Sequence, residues 1–272
     1  MGAYPGELTS DIALLRELAD ASDAISLDRF NAQDLIVETK PDATPVTDAD
    51  RAVERKIREL LASQRPSDLV IGEEFGRPDS IGVNSRYWVI DPIDGTKNFL
   101  RGVPIWATLI GLVHRDNDCN DRVIAGIVSA PALFRRWYAA TGFGAFTEVN
   151  GGAAVQINVS KVARIEDASL SFSDLAGWGE RRDAYLATLD RLWRVRGIGD
   201  FWSHMLVAEG AVDIAAEPSL ALWDMAAVAI IVEQAGGIFS DLTGALGPFG
   251  ASGVSANRAL HPQFLAAVNS AR

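Results

Sequence analysis

Cysteine is nearly absent from this sequence of 272 residues. The single cysteine, Cys119, excludes an internal disulfide and lies in the polar stretch Asp116-Asn117-Asp118-Cys119-Asn120-Asp121. In so polar a stretch, an exposed thiol without a role is a simpler interpretation than a nucleophile.

Long hydrophobic runs are also missing. The N-terminus does not show a basic segment followed by an apolar one, which is the pattern of a secretory signal. No apolar run reaches the roughly 18 residues of a candidate membrane-spanning helix. We expect a soluble cytoplasmic protein that has no membrane partner.

Basic residues are outnumbered by acidic ones, 25 to 36, which gives a formal net charge of −11. Such a charge argues against general affinity for nucleic acid or for an anionic membrane surface. A phosphate-bearing substrate would need a cation or local backbone amides to hold it. The hydrophobic share, 48%, is enough for a large core in one domain or in two closely packed ones.

Apolar periodicity predicts layered helices and sheets, without repeats or low-complexity segments. Helices are predicted over 9–30, from Asp50 to before Pro66, and over 181–193, 201–209, 223–235 and 261–270. Strands are predicted over 35–37, 69–72, 87–91, 170–172, 212–216, 238–241 and 253–256, with a strand and turn over 194–200. An antiparallel meander is predicted over 108–113, 123–129, 136–140 and 145–148, and a polar loop over 39–50. We divide the chain into halves at 1–160 and 161–272 that form one compact unit.

The most informative stretch begins as a buried strand and ends in a turn that carries two carboxylates. It reads Trp88-Val89-Ile90-Asp91-Pro92-Ile93-Asp94-Gly95-Thr96-Lys97-Asn98-Phe99-Leu100-Arg101-Gly102. Asp91 and Asp94 can converge on one point, and the Ile93 carbonyl between them can face it too. Such oxygen ligands suit Mg²⁺, which typically takes one or two carboxylates together with substrate phosphate. If a helix starts near Gly95 or Thr96, its first amides are available to an anion.

A simpler interpretation of this stretch exists. Asp-Pro and Asp-Gly are common turn dipeptides, and a strand that ends in aspartate is often nothing more than a strand end. Acidic residues elsewhere in the chain are what favour the metal hypothesis.

Further carboxylates stand at the ends of other predicted elements. Asp50 begins a helix, where Thr47-x-x-Asp50 also fits a capping box. Glu73 and Glu74 follow a strand, and adjacent side chains of extended backbone point to opposite sides, so we expect only one to reach a shared site. Asp224 starts another helix, where the alternative is an N-cap. Clustered carboxylates are unfavourable without a cation, so a site for two or three metal ions would account for them.

These motifs resemble those of the inositol monophosphatase superfamily. The segments that carry the resemblance are in the family's order: Gly72-Glu73-Glu74, Asp91-Pro92-Ile93-Asp94-Gly95-Thr96-Lys97-Asn98-Phe99, Trp223-Asp224-Met225-Ala226-Ala227 and Gly236-Gly237. The resemblance implies an α/β fold of five layers, αβαβα, and a lithium-sensitive, Mg²⁺-dependent phosphomonoesterase. It also implies a homodimer.

The resemblance further implies a set of metal ligands. They are Glu73, Asp91 and the Ile93 carbonyl for a first Mg²⁺, Asp91, Asp94 and Asp224 for a second, and Glu73 with Asp50 for a weaker third. When bound, such ions acidify a water and stabilise the leaving alkoxide, so no cysteine or histidine nucleophile is required.

Other implied roles concern water and phosphate. Thr96, together with Glu73 or with the ligands of the third metal, would orient the attacking water. The turn formed by Asp94, Gly95 and Thr96 would receive the phosphate. Lys40 is the lysine that the family places near the site, although an exposed lysine without a role is the alternative. Glu74 is a further possible site residue.

Other stretches resemble the actinobacterial histidinol-phosphate phosphatases of the same superfamily: Thr39-Lys40-Pro41-Asp42, Arg101-Gly102-Val103-Pro104, Arg194-Val195-Arg196, Gly199-Asp200-Phe201 and Ala215-Ala216-Glu217-Pro218. This implies hydrolysis of L-histidinol phosphate to L-histidinol in histidine biosynthesis. Glu217 stands where the family contacts the leaving alcohol. Asp200, next to Gly199, adds an acid that suits the ammonium and imidazole groups of that substrate. The alternatives are a turn residue for Asp200 and a surface acid before proline for Glu217.

Two other functions stay open at this point. The same chemistry would serve inositol-1-phosphate or another small sugar phosphate, fructose-1,6-bisphosphate included. A non-catalytic module that binds metal and phosphate belongs to a different class and would be recognised by Mg²⁺ binding without turnover.

Overall fold

The helices and strands below come from a computed structural model, which describes residues 5–41 and 43–270, except for the side chains of residues 5–7. Asp42, part of one motif above, lies outside the described residues. The helices are α1 (Pro5–Arg29), α2 (Asp48–Gln64), α3 (Thr96–Leu100), α4 (Arg182–Leu189), α5 (Asp200–Ala208), α6 (Leu222–Gln234) and α7 (Leu260–Val268). Among the described residues, no helix is both long enough and apolar enough to cross a membrane.

The strands form two main sheets and one small ribbon. Their bounds are β1 (Val37–Thr39), β2 (Pro45–Thr47), β3 (Leu69–Gly72), β4 (Ser85–Asp94), β5 (Ala107–Arg115), β6 (Asp121–Ala130), β7 (Arg135–Ala140), β8 (Gly144–Val149), β9 (Val155–Ile157), β10 (Ser169–Phe172), β11 (Arg194–Gly197), β12 (Ile214–Glu217), β13 (Ile238–Ser240) and β14 (Gly253–Ala256). Short 3₁₀ turns lie at Pro131–Leu133, Ile165–Asp167 and Gly179–Arg181.

The larger sheet has the order β3-β4-β5-β6-β7-β8-β9 and is antiparallel except for the β3–β4 pair. The smaller sheet has the order β11-β10-β12-β14-β13, with β10 parallel to β11 and β12 and with β14 antiparallel to both of its neighbours. β1 and β2 pair with each other in an antiparallel ribbon.

Helices cover both sheets and separate them. α1 and α2 pack on one face of the larger sheet, where Leu18 and Ile57 meet Trp88. α5 and α6 lie between the two sheets, and α4 and α7 cover the outer face of the smaller sheet, where Tyr185 and Phe264 join its core. The five predicted layers, αβαβα, are therefore confirmed.

α6 is apolar on all sides because it is buried between layers. Two glycines that face each other across β5 and β6, Gly111 and Gly126, let its backbone approach the larger sheet. A Cβ atom on Gly126 would lie 2.8 Å from Cγ2 of Ile230, and one on Gly111 would lie 2.9 Å from Cβ of Ala226. Close packing against this glycine pair fixes the position of the first turn of α6, which carries Asp224.

Some predicted boundaries are wrong. The strand expected over 35–37 lies at Val37–Thr39, and the loop expected over 39–50 contains β2 and the start of α2. The β1 side chains are all exposed, so this ribbon lacks the apolar alternation that marks a half-buried strand. The helix expected over 181–193 ends at Leu189, because tight turns follow it and Arg194 then pairs with Ser169 of β10.

Candidate active site

The strand that carries the central motif is interrupted by a bulge. β4 pairs with β5 in register up to Asp91, which faces Leu109, and pairing resumes with Asp94 opposite Ala107. In a regular strand, residues three apart point to opposite faces. The extra residue in β4 changes that alternation, as bulges do, and the Asp91 carboxylate turns back to accept a 3.0 Å hydrogen bond from the Ile93 amide.

Asp91, Asp94 and Asp224 meet in space. Each offers a carboxylate oxygen, and within the part of the chain that the structure describes these three oxygens lie within 4.8 Å of one another. Asp224 is the third residue of α6, and its Oδ2 accepts a 2.7 Å hydrogen bond from the Ala221 amide. It therefore stabilises the start of the helix as well as joining the cluster, although it is not the N-cap residue itself.

The clustered carboxylates raise one another's pKa. Burial raises the pKa of Asp91 well above its usual range, and the charges of Glu73, Asp94 and Asp224 raise it further. Burial and the charges of Asp200 and Asp224 likewise raise the pKa of Asp94 well above its usual range. Burial also raises the pKa of Asp224 to about 6. Deprotonating all three together is therefore unfavourable without a compensating positive charge.

The donor set suits a hard divalent cation. All three groups are carboxylates, which are preferred ligands of Mg²⁺. Lys40, the lysine at the site, forms ion pairs with Glu73 and Glu74. Its positive charge is therefore not paired with these three aspartates. The residues present thus fit Mg²⁺ at the set Asp91, Asp94 and Asp224.

Asp50 combines two roles that sequence reasoning treated as alternatives. Its Oδ2 accepts a 2.8 Å hydrogen bond from the Thr47 amide, and its own amide donates to Thr47 Oγ1 at 3.4 Å, which completes the capping box. Its other oxygen, Oδ1, lies 3.4 Å from the Thr96 hydroxyl, which also donates to the Ile93 carbonyl at 3.0 Å. Asp50 therefore caps α2 and faces the central motif, and burial raises its pKa to about 6.

Glu73 and Glu74 depart from the expected alternation. They lie in a turn after β3 instead of in extended backbone, and both carboxylates reach Lys40, with Nζ to Oε1 distances of 2.7 Å and 2.5 Å. Burial lowers the pKa of Lys40, but the hydrogen bonds and charges of the two glutamates outweigh it and raise the pKa above its usual value. Lys40 is thus not a free exposed lysine, and with Arg51 it lines a cavity of about 360 Å³ beside the glutamates.

A short helix starts directly after Asp94 and Gly95, which was the condition for predicting an anion site near Gly95 or Thr96. Gly95 is the N-cap of α3, with a φ of +85°, a conformation that residues with a Cβ atom rarely adopt. A Cβ atom there would also lie 2.9 Å from the Ile105 carbonyl and 3.4 Å from Oδ2 of Asp200. Gly95 offers no side-chain cap to the first amides of α3, and such amides have no partner within the helix.

A second pair of acids lies beside the aspartate cluster. Asp200 follows Gly199, the N-cap of α5, and its Oδ2 accepts a 3.0 Å hydrogen bond from Asn98 of the central motif. Glu217, only 4% exposed, is not the surface acid that the alternative required. Burial raises the pKa of Glu217 to about 7, against hydrogen bonds of 2.9 Å and 2.6 Å from the amide and hydroxyl of Ser173.

A sequence model of the inositol monophosphatase family matches residues 7–272. The chain belongs to this family. The histidinol-phosphatases of Mycobacterium tuberculosis and Streptomyces coelicolor are each 51% identical to it over 261 residues, which is 95% of this chain and 98% and 97% of theirs. A solved inositol monophosphatase from Zymomonas mobilis matches with a TM-score of 0.81 and 30% identity, over 99% of this chain and all of that one. The predicted superfamily is thus confirmed.

Two site residues of this family member had no assigned role in the sequence analysis. Ser173 joins Glu217 to Asp200, because its hydroxyl donates to the glutamate and accepts a 2.7 Å hydrogen bond from the Asp200 amide. Asn98 was noted only as part of the motif. The signal for Ser173 is its position: it is a polar residue directly after a predicted strand, as Glu73 is.

Proposed function

We propose that this protein is a Mg²⁺-dependent phosphomonoesterase that hydrolyses L-histidinol phosphate to L-histidinol and phosphate. The observation that carries the substrate assignment is the 51% identity, over nearly the whole of both chains, to two histidinol-phosphatases. The geometry of the site supports the same assignment, because the half-buried Asp200 and the buried Glu217 adjoin the aspartate cluster.

In this proposal the metal ligands come from both halves of the chain. Residues 1–160 provide Asp91, Asp94, the Ile93 carbonyl, Glu73 and Asp50, and residues 161–272 provide Asp224. Bound Mg²⁺ would supply Lewis-acid stabilisation of phosphoryl oxygens and a water of lowered pKa. The protein's part is to hold these oxygens in place, and the charge of the bound cation would allow the three aspartates to be deprotonated together.

Thr96 would orient the attacking water. Its hydroxyl donates to the Ile93 carbonyl, so its lone pairs stay free to accept a hydrogen bond from water. The Asp50 carboxylate lies beside this hydroxyl. The water oxygen forms the new bond to phosphorus, the ester bond to the alcohol oxygen breaks, and that oxygen takes up a proton.

The phosphate would lie at the start of α3. Amides of Gly95 and Thr96 face an anion there, and backbone donors placed in this way stabilise the charge on the phosphoryl oxygens in the transition state.

Asp200 and Glu217 would recognise the leaving alcohol. L-Histidinol carries an ammonium group and an imidazole, and opposite charge in a buried pocket favours the ionised carboxylate. Inositol offers only hydroxyl groups, so it would gain no comparable electrostatic stabilisation from these two acids.

The test is phosphate release with Mg²⁺ from L-histidinol phosphate and from inositol-1-phosphate, measured side by side as kcat/KM. We expect the higher value for L-histidinol phosphate. A higher value for inositol-1-phosphate would overturn the substrate assignment and leave the metal chemistry intact. Mg²⁺ binding without phosphate release from either compound would identify a non-catalytic binding module.

A further inference from the structure

Glu54 is a fully buried carboxylate that the proposed chemistry does not use. It lies on α2 one helical turn after Asp50, with 0% of its surface exposed. Its Oε2 accepts a 2.8 Å hydrogen bond from the Glu74 amide, and its Oε1 accepts bonds of 3.2 Å from the Phe75 amide and 2.8 Å from Nε of Arg58. Three donors therefore converge on this one side chain.

The two amides belong to the turn that follows β3. This turn is closed by reciprocal backbone hydrogen bonds between Gly72 and Gly76, of 2.9 Å and 3.1 Å. Arg58 contributes a third connection, because its Nη2 donates to the Gly76 carbonyl at 2.9 Å. Glu54 and Arg58, which we call the Glu54–Arg58 pair, thus hold the turn by its amides and by its last carbonyl.

Gly72 provides the space for this arrangement. A Cβ atom at position 72 would lie 1.9 Å from Oε1 of Glu54, which is far too short for two heavy atoms that are not bonded to each other. Position 72 must therefore be a glycine if the Glu54 carboxylate is to reach the amides of Glu74 and Phe75.

Hydrogen bonds fix the backbone of Glu73 and of the two residues that follow it. Its amide donates to the Ile90 carbonyl at 3.2 Å, directly before Asp91 in β4, and the next two amides are bound by Glu54. We propose that Glu54 is a positioning residue, which sets the distance of the Glu73 carboxylate from the aspartate cluster and so tunes Mg²⁺ affinity. This inference rests on the proposed function, in which Glu73 is a metal ligand.

An amide at position 54 cannot replace the carboxylate. A carboxylate offers two acceptor oxygens, whereas glutamine offers one oxygen and an NH₂ group that can only donate. In Glu54→Gln, that NH₂ group would face a backbone N–H or the Arg58 guanidinium. At least one of the three donors would lose its acceptor, and the turn would shift.

The experiment measures Mg²⁺ binding to the metal-free protein by calorimetry, together with the Mg²⁺ concentration for half-maximal phosphate release and the Tm without metal. Partners that orient metal ligands typically contribute about 10–100-fold to metal affinity, so we expect Glu54→Gln to weaken Mg²⁺ binding by that factor. The matched control is Glu148→Gln, which removes another buried glutamate paired with an arginine, Arg16 of α1. It should lower Tm and leave Mg²⁺ affinity unchanged.

Three results would decide the matter. If Glu54→Gln lowers Tm as the control does and Mg²⁺ affinity stays unchanged, the positioning role is wrong. If Glu54→Gln fails to fold, Arg58→Gln is measured instead, because the Arg58 side chain is half-exposed. A loss of Mg²⁺ affinity smaller than that expected for Glu54→Gln supports the inference, and no loss overturns it. If Glu73→Gln itself leaves Mg²⁺ affinity and turnover unchanged, the ligand assignment under the proposed function has failed instead.

Discussion

Single carboxylates at the site differ in what compensates their charge. Glu73 and Glu74 share Lys40, and Glu54 has Arg58 and two amides. Among the residues that the structure describes, only the neutral amide and hydroxyl of Ser173 donate to Glu217, and burial raises the pKa of Glu217 to about 7. We therefore expect a cationic ligand to compensate the charge of Glu217 and a metal ion to compensate the charges of the aspartates. Substitutions at the two places should then have different effects.

Asp94→Asn should abolish turnover without unfolding the protein. Asparagine removes the charge and one potential ligand, but its oxygen can still accept the hydrogen bond that the Phe201 amide donates at 2.8 Å. We expect kcat to fall by more than about 100-fold, beyond the effect of losing an orienting partner. Phosphate release and circular dichroism measure the two properties.

The control is Asp213→Asn, another buried aspartate that accepts a hydrogen bond from a backbone amide, that of Ser169. It directly precedes β12, at the opposite end of that strand from Glu217. Its turnover should stay near that of the wild type. Activity of Asp94→Asn within a few-fold of the wild type would contradict the ligand assignment.

Glu217→Gln should discriminate between substrates. Glutamine keeps an oxygen for Ser173 and loses the charge that would face an ammonium or imidazolium group. We expect kcat/KM for L-histidinol phosphate to fall by about 10–100-fold, since a desolvated charge pair contributes on the order of 1.5–3 kcal/mol. Hydrolysis of an aryl phosphate, whose leaving group has no cationic group, is the internal control. Equal losses on both substrates would show a structural role.

Among the elements, α6 connects the fold to the site, because it packs between the sheets and its first turn carries Asp224. Long, strongly apolar elements of this kind were predicted correctly, α6 to within one residue at each end. The short strands β1, β2 and β9 have three residues each. Such short segments contain too few side chains to show a period, so β9 has no predicted counterpart, β2 falls within the predicted loop, and the strand predicted over 35–37 overlaps β1 at Val37 alone.

Gly126→Ala should separate α6 from the larger sheet. The new methyl group would lie 2.8 Å from Cγ2 of Ile230 and 2.9 Å from Cα of Ala227, so the helix must move. Overpacking of this kind destabilises a protein by about 1–3 kcal/mol. Because Asp224 moves with the helix, Mg²⁺ affinity should fall as well. Thermal unfolding and Mg²⁺ calorimetry measure both effects.

Gly82→Ala is the matched control, because a Cβ atom there meets nothing within 4 Å. It should leave Tm and Mg²⁺ affinity unchanged. If Gly126→Ala lowers Tm and Mg²⁺ affinity is unaffected, the position of α6 does not control the site.

Across the whole molecule, the site depends on contacts between residues that are distant in the sequence. Asn98 and Asp200 are 102 positions apart, and Ser173 and Glu217 are 44 apart. Motif spacing identified Asp91, Asp94 and Asp224 as candidates, and the structure brings those three together. The link from Asn98 to Asp200 depends on how the two halves of the chain pack together, and the link from Ser173 to Glu217 on the pairing of β10 with β12. No local pattern encodes either.

The metal-free protein should lose stability as the pH rises. Burial and mutual repulsion raise the pKa values of Asp91, Asp94 and Asp224 above the value of about 4 in an unfolded chain. The unfolded state therefore binds fewer protons than the folded state between these values, and stability falls with pH. The contribution is fully present below about pH 4 and is lost as the pH passes the folded pKa, about 6 for Asp224.

Thermal unfolding with EDTA across this pH range measures the effect. The Tm of Asp94→Asn relative to the wild type should increase with pH, by about 2–4 °C for each kcal/mol of repulsion removed. Mg²⁺ should restore the Tm of the wild type at neutral pH, because a ligand that binds only the folded state stabilises it. Parallel Tm curves for the two proteins would contradict this account.

The position of Asp224 on α6 also has a consequence for biosynthesis. Ribosomes make the chain from its N-terminus, and folding begins on the nascent chain. A chain that has emerged only to residue 200 contains β3 to β9 with Asp91 and Asp94, but it has neither Asp224 nor the helix that lies between the sheets. The larger sheet can therefore form before the three aspartates repel one another, and the aspartate cluster is completed only after α6 has emerged.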